Sequence, residues 1–326
     1  MKSFEYAAPR TEADVVALLN EHAGTATILA GGTDLVGLMK KMVETPDRVI
    51  NIMEIDSLKS VDPIGNAGVR IGAAMTLDDV IEHPLVKPYS ALTDGIRRIN
   101  SMQLLCQGTL GGELLQRPRC WYYRDGSGLM NDRVADGENS QHAIFDNQGR
   151  AKFVSASRIA PLLIAMQASV RVVGSDGAES YRPVEALFQT PRRDGQRENT
   201  LGDAELVTHI IVPDQVGWMS GSYEVRQNCG PDFPLAAAAC SFVHAGGVVQ
   251  EARIVMGHVA PAPRSSQDAA DFLRGKVIDE AVADAAGEVA VRKATPLSQN
   301  GHKVQLAKVA VKRAILSAAG LETGGL

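Results

Sequence analysis

Aromatic residues are scarce in this 326-residue chain, only 5% of it. That leaves little for the base-stacking platforms of single-strand nucleic-acid binders. An excess of positive charge is missing as well. The formal net charge is −5, the pI is about 5.8 and no basic stripe is present, so nucleic acid is not an expected partner. No apolar run approaches the roughly 18 residues of a membrane span. The opening MKSFEYAAPRTEADVV has acids where a signal peptide has its apolar core. Neither a membrane span nor an export signal is expected, and the default address is cytoplasmic. Cysteine is sparse: Cys106, Cys120, Cys229 and Cys240 are irregularly spaced and form no CxxC. This is no disulfide framework, and it fits a reducing compartment. The seven histidines show no HxH or HExxH spacing, so no metal site is expected from them. GxGxxG, P-loop and GxSxG motifs are absent too.

Apolar residues at 45% and charged residues at 22% are those of a soluble globular chain. Its length suits two or three cores. The organising stretch is Thr25–Val43. Thr25–Leu29 reads as a strand, Ala30-Gly31-Gly32 as a turn, and Thr33 or Asp34 as the cap of a helix. Leu35, Leu38, Met39 and Met42 supply that helix's apolar stripe. Paired glycines between strand and helix let backbone approach a ligand and leave amide N–H groups facing it, the chemistry of a diphosphate cradle. A bare Gly-Gly is more often an ordinary turn. A second pair, Gly111-Gly112, reads as another turn, and a dinucleotide could lie across both.

Elsewhere, helices are expected over Thr11–Ala23, after Thr76, over Ser90–Met102 and over Ile159–Gln167, with strands at Arg48–Ile52, Val69–Ala73 and Ala168–Val173. Asp125–Gln141 is polar and unpatterned. Gln189–Glu205 has almost no apolar residue and reads as a linker. Beyond it come a strand at Leu206–Pro213, a hairpin about Gly246-Gly247, and helices at Gln267–Arg274, Glu280–Lys293 and Lys303–Ala319. The second half therefore reads as α+β, unlike the mixed first half.

AGGTDL (Ala30–Leu35) followed by GTLGGELLQRPRCWYYR (Gly108–Arg124) resembles the FAD-binding medium subunit of the molybdenum hydroxylases, the xanthine dehydrogenase and CO dehydrogenase flavoprotein family. The nearest branch is that of the aldehyde oxidoreductases and 4-hydroxybenzoyl-CoA reductases. AELVTHIIVP, GPDFPLAAAA, ARIVMGHVAPAPRSS and PLSQNGHKVQLAKVAVKRAIL extend the resemblance almost end to end. It implies an α+β architecture. A two-subdomain FAD-binding domain of the PCMH/VAO type (1–176, divided near 55) precedes a C-terminal domain (177–326) with a three-stranded antiparallel sheet and a helix bundle.

The resemblance also implies FAD held by Leu29, Ala30, Gly31, Gly32, Thr33, Asp34 and Leu35, with Thr109, Gly111, Gly112 and Glu113 as a second wall. Leu206 would approach from the C-terminal side. No residue acts as acid, base or nucleophile. The implied partners are a large molybdenum-cofactor subunit and a small [2Fe–2S] subunit that feeds electrons through FAD to an acceptor the sequence does not name. Related assemblies can be exported on a partner's signal, so a periplasmic address stays open.

Departures accompany the resemblance. Cys120 matches the first of four cysteines that hold a [4Fe–4S] centre in the cluster-bearing branch, and no other cysteine lies between it and Cys229. The cluster is expected to be absent, and Asp125–Gln141 to be a remnant loop. Leu105-Cys106 replaces an Arg-Asn, Glu113 an Asn, Arg158 an acid that helps hold the adenosine half, and Glu224 a Lys. These substitutions motivate an alternative, a flavin-free scaffold subunit of the same type of complex.

Overall fold

The computed structural model describes residues 1–228 and 230–324, which leaves Cys229 outside the described residues. Three sheets organise the chain. In the first, β1 (Glu5–Ala7), β2 (Ala26–Leu29) and β3 (Arg48–Asn51) run parallel in the order β1-β3-β2. Parallel neighbours need crossover connections, supplied by α1 (Glu12–Glu21) and α2 (Leu35–Lys40). Thr11 caps α1 as its spacing predicts. Its hydroxyl accepts from Asp14 N at 3.1 Å and donates to the Asp14 carboxylate at 2.7 Å, so the reciprocal bond of a capping box runs here from the hydroxyl instead of the Thr11 N–H. The stripe expected on α2 is shorter than the sequence implies. Leu38 and Met39 are buried, but the helix stops at Lys40, and Met42 is exposed with φ 60°.

The second sheet is antiparallel. It holds β4 (Val61–Pro63), β5 (Gly68–Gly72), β6 (Ser169–Val173), β7 (Glu179–Pro183) and β8 (Leu206–Pro213), in the order β4-β5-β8-β6-β7. Its helices are α3 (Leu77–Glu82), α4 (Ser90–Arg97), α5 (Met102–Gln107), α6 (Leu110–Leu114), α7 (Arg133–Asp136) and α8 (Ala160–Ala165). The single helix expected over Ser90–Met102 is two. The chain breaks at Asn100 (φ 22°), and Ser101 opens α5 by accepting from Leu104 N at 3.3 Å. Gly111-Gly112 is helical rather than a strand-to-turn corner, because Thr109 caps α6 through Gly112 N at 3.1 Å.

The sheet crosses the boundary expected after residue 176, since β7 and β8 pair with β6. Gln189–Glu205, polar enough to read as a linker, instead carries the chain across the sheet so that β8 can insert between β5 and β6. It is pinned along the way. Gln189 Nε2 donates to the carbonyls of Arg197 (3.0 Å) and Asn199 (2.7 Å), and Glu198 is buried.

The third sheet is antiparallel, β12-β11-β10-β9, with β9 (Trp218–Val225), β10 (Ala236–Ala245), β11 (Val248–Gly257) and a two-residue edge strand β12 (Arg264–Ser265). Gly246 and Gly247, at φ 57° and 84°, form the expected two-residue hairpin turn. α9 (Gln267–Leu273), α10 (Glu280–Val291) and α11 (His302–Ala318) pack alongside, with Ala307, Val311 and Ile315 of α11 buried as their spacing predicts. Among the described residues no helix is long and apolar enough to cross a membrane.

The loop read as a remnant is tied down by buried polar groups. Asn139 Nδ2 donates to the carbonyls of Val134 and Ala135 and to Ser298 Oγ, while its Oδ1 accepts from Gln299 N. Asn300 Nδ2 donates to the carbonyls of His142 and Ala143. Asn139 and Asn300 are fully buried. Each satisfies backbone that would otherwise be orphaned, which fixes loop to C-terminal segment.

Candidate functional site: the cavity between two glycine segments

Ala30–Asp34 leaves the end of β2 and curls over a cavity between the first two sheets. Among the described residues, the backbone N–H groups of Gly31, Gly32, Thr33 and Asp34 have no protein acceptor. A run of free amides at a cavity wall is built for an anionic ligand. Gly31 sits so close to α5 that a Cβ there would lie 1.7 Å from the Gln107 carbonyl oxygen. Gln107 Nε2 closes the joint by donating to Gly31 O at 3.0 Å. Gly32 has φ 72°, the left-handed region that favours glycine. The facing segment is different. The N–H groups of Leu110, Gly111 and Gly112 bond to Met75 O, Ala73 O and Thr109 Oγ. It forms a wall, and the free donors all lie on the first segment.

Asp34 was expected as a helix cap. Its carboxylate makes no cap bond and instead collects the arginine-rich run that follows the second glycine pair. It accepts from Arg117 N at 2.7 Å and pairs with Arg124 at 2.7 Å and Arg119 at 3.3 Å. Arg124 also donates to the carbonyls of Pro118 and Arg117, which shapes that turn. The Arg117 side chain pairs with Glu44 at 2.5 Å and with Glu198, and lies over the Tyr123 ring. Every guanidinium of the run thus has a carboxylate partner, with Arg119 and Arg124 sharing Asp34. A ligand's phosphates would be recognised by amides, with no net excess of arginine charge.

Ten of the twelve residues expected at the site line this cavity: Ala30, Gly31, Gly32, Thr33, Asp34, Leu35, Thr109, Gly111, Gly112 and Leu206. Leu206 arrives as the first residue of β8 in the second sheet, a correction to its expected approach from the C-terminal domain. Leu29 points aside, where its Cδ1 would stand 3.3 Å from a Cβ on Gly32. Glu113 faces away. Its Oε1 accepts from Gln116 Nε2 at 2.6 Å and from Arg158 N at 3.0 Å, and burial pushes its pKa up to about 7.

Three of the four departures noted near the ligand meet here. The Arg158 guanidinium pairs with Glu224 at 2.6 Å, both side chains being less than 10% exposed, while its backbone holds Glu113. They are one compensated cluster joining the first two sheets' unit to β9. Sequence reasoning missed Arg117, Arg197, Leu201 and Glu205, which also line the cavity. The arginine run was a usable signal for the first. The other three sit in the stretch read as a linker.

The family model for the FAD binding domain in molybdopterin dehydrogenase matches residues 2–215, and that for the CO dehydrogenase flavoprotein C-terminal domain matches 221–318. The chain belongs to this flavoprotein family. The FAD-binding subunit PaoB of the Escherichia coli aldehyde oxidoreductase is 27% identical over 317 residues, covering 94% of this chain and 96% of that one. The medium chain of Hydrogenophaga pseudoflava carbon monoxide dehydrogenase is 26% identical over 320 residues, with 97% and 96% covered. A solved structure of that organism's carbon monoxide dehydrogenase superposes with a TM-score of 0.78 at 25% identity, covering 97% of each chain. FAD is therefore the cofactor of this flavoprotein, which is the medium subunit type of molybdopterin-dependent oxidoreductases.

The cavity fits such a cofactor, because free amides face the space where a diphosphate would need them. Around Cys120, the side chain within hydrogen-bond reach of Sγ is His142, at 3.1 Å. Among the described residues no group of three His, Cys, Asp or Glu side chains is placed to hold a metal ion.

Proposed function

We propose that this subunit relays electrons, accepting them from [2Fe–2S] clusters of a small partner and delivering them to an external acceptor. Substrate oxidation would take place at the molybdenum cofactor of a large partner. The observation that carries the reading is the run of unsatisfied amides over Gly31–Asp34, set in a cavity whose arginines are already neutralised. In this reading Ala30–Asp34 hold the diphosphate of FAD on backbone N–H groups. Thr109, Gly111 and Gly112 back it, and Leu35 and Leu206 supply apolar contact. Bound there, FAD supplies the one- and two-electron chemistry, and the chain supplies position and surroundings. The scaffold alternative rested on four separate departures. It is weakened because Glu113, Arg158 and Glu224 satisfy one another instead of crowding the ligand.

The test is a visible spectrum and an iron assay on the purified chain, followed by anaerobic reduction with reduced [2Fe–2S] partner. Oxidised-flavin bands without iron, bleached by the partner and restored by an added acceptor, are expected. A chain that stays colourless after incubation with FAD would overturn the reading.

A further inference from the structure

A second cavity, of about 60 Å³, lies on the C-terminal side of the arginine run and has no assigned role. Cys120, His142 and His258 line it, with Arg119, Trp121 and Phe233. It has room for a group of a few non-hydrogen atoms.

Two buried imidazoles face it with a nitrogen unused. His142 is 3% exposed and His258 1% exposed, and neither His142 Nδ1 nor His258 Nε2 has a partner. Cys120 Sγ lies 3.1 Å from His142 Nε2, so that nitrogen is engaged and Nδ1 is the one left without a partner. His258 adopts φ 60°, in the left-handed region that few non-glycine residues enter. Strain of that sort persists where surrounding structure enforces it. Lys303, 1% exposed, donates from Nζ to the carbonyls of His142 (3.1 Å), His258 (2.9 Å) and Gln141 (2.8 Å). One buried side chain thus ties together the backbones of both histidines. Arg119, which shares Asp34 with Arg124, stacks on Phe233 at the wall, and no Asp or Glu lines the cavity.

We propose that this cavity binds a small monovalent anion, held by His142 Nδ1 and His258 Nε2, with each ring's proton on that nitrogen, beside the Arg119 guanidinium. The site is separate from the glycine cavity and does not rest on the flavin reading. Its chemistry asks for an ion of halide, nitrate or short carboxylate size, because the space is small and its donors are few.

The probe is bromide, soaked into crystals of the whole chain and located by anomalous scattering. A bromide within hydrogen-bond distance of His142 Nδ1 and His258 Nε2 is expected. A water there while surface bromide sites fill would overturn the proposal. In solution, nitrate titrated into chloride-free buffer should raise the unfolding midpoint in a saturable manner. His258→Gly, which accepts φ 60° without strain, should fold and lose the saturable rise. An unchanged response in that variant would equally refute the site.

Discussion

Gly31 is the position where the proposed flavin site and the fold depend on one atom's absence. A Cβ there would lie 1.7 Å from Gln107 O and 2.8 Å from the Gln107 carbonyl carbon, both backbone atoms that cannot rotate aside. Restoring ordinary contact needs the loop and α5 to part by on the order of 1.5 Å, and forced overpacking costs roughly 1–3 kcal/mol or more. The Gln107–Gly31 hydrogen bond would lengthen with it, and the free amides would shift off the cavity. Gly31→Ala is thus expected to lower flavin retention at least about tenfold, since about 1.4 kcal/mol is a factor of ten in affinity. Two neighbours calibrate this. Gly32→Ala meets only the side chains of Val36 and Leu29, at 3.2 and 3.3 Å, but has φ 72°, so it should lose less. Gly37→Ala has nothing within 4 Å and lies in α2, so it should retain flavin and gain roughly 0.5–1 kcal/mol of stability. The assay is the ratio of flavin to protein absorbance after gel filtration, with thermal unfolding alongside. Gly31→Ala with full flavin content, or an effect of Gly37→Ala as large as that of Gly31→Ala, would refute the reasoning.

Glu113, held at about pH 7 by burial, should release its proton later in the folded chain than in the unfolded one. Its stabilising contribution is complete below about pH 4.5 and is lost as pH rises through about 7, by up to about 3 kcal/mol. Glu113→Gln keeps an acceptor for Arg158 N and Gln116, and denaturant titrations across that window should come out flatter than for the parent. Arg158→Glu and Glu224→Arg each leave a buried charge uncompensated and should cost about 3–5 kcal/mol. The double exchange should recover part of the loss in a double-mutant cycle. Lys303→Met strips the donor from the carbonyls of Gln141, His142 and His258, the last two buried, and should cost about 3 kcal/mol. Hydrogen exchange should then rise between residues 138 and 147, with the first sheet unaffected.

What the sequence made legible was local. The Thr11 and Thr76 caps, the Gly246-Gly247 turn and the α11 stripe depend on neighbours within a few residues, and each forms as read. The glycine loop was legible for the same reason, because its strand, turn and helix are contiguous. The misreadings share a cause in contacts between distant segments. Gln189–Glu205 looked like a linker because its polarity is local, whereas the insertion of β8 between β5 and β6 is not. Glu113, Arg158 and Glu224 looked like separate departures because nothing in the chain announces that residues 66 apart form a 2.6 Å ion pair. Asp34 looked like a cap because Asp commonly is one. The arginines that claim its carboxylate come some 80 residues later. Asp125–Gln141 seemed unanchored because its anchors, Ser298, Asn300 and Lys303, lie in another domain.

The central place of β8 has a consequence for how the protein comes into being. With β8 missing, the second sheet is two unconnected hairpins, β4-β5 and β6-β7, each of them marginal alone. During synthesis nothing can join them until residue 213 has left the ribosome. The wall of the glycine-segment cavity formed by Leu206 and Val207 arrives in that same step. The nascent chain can therefore complete the proposed cofactor site only after most of the first unit has waited, with an unpaired edge exposed on β5 and another on β6.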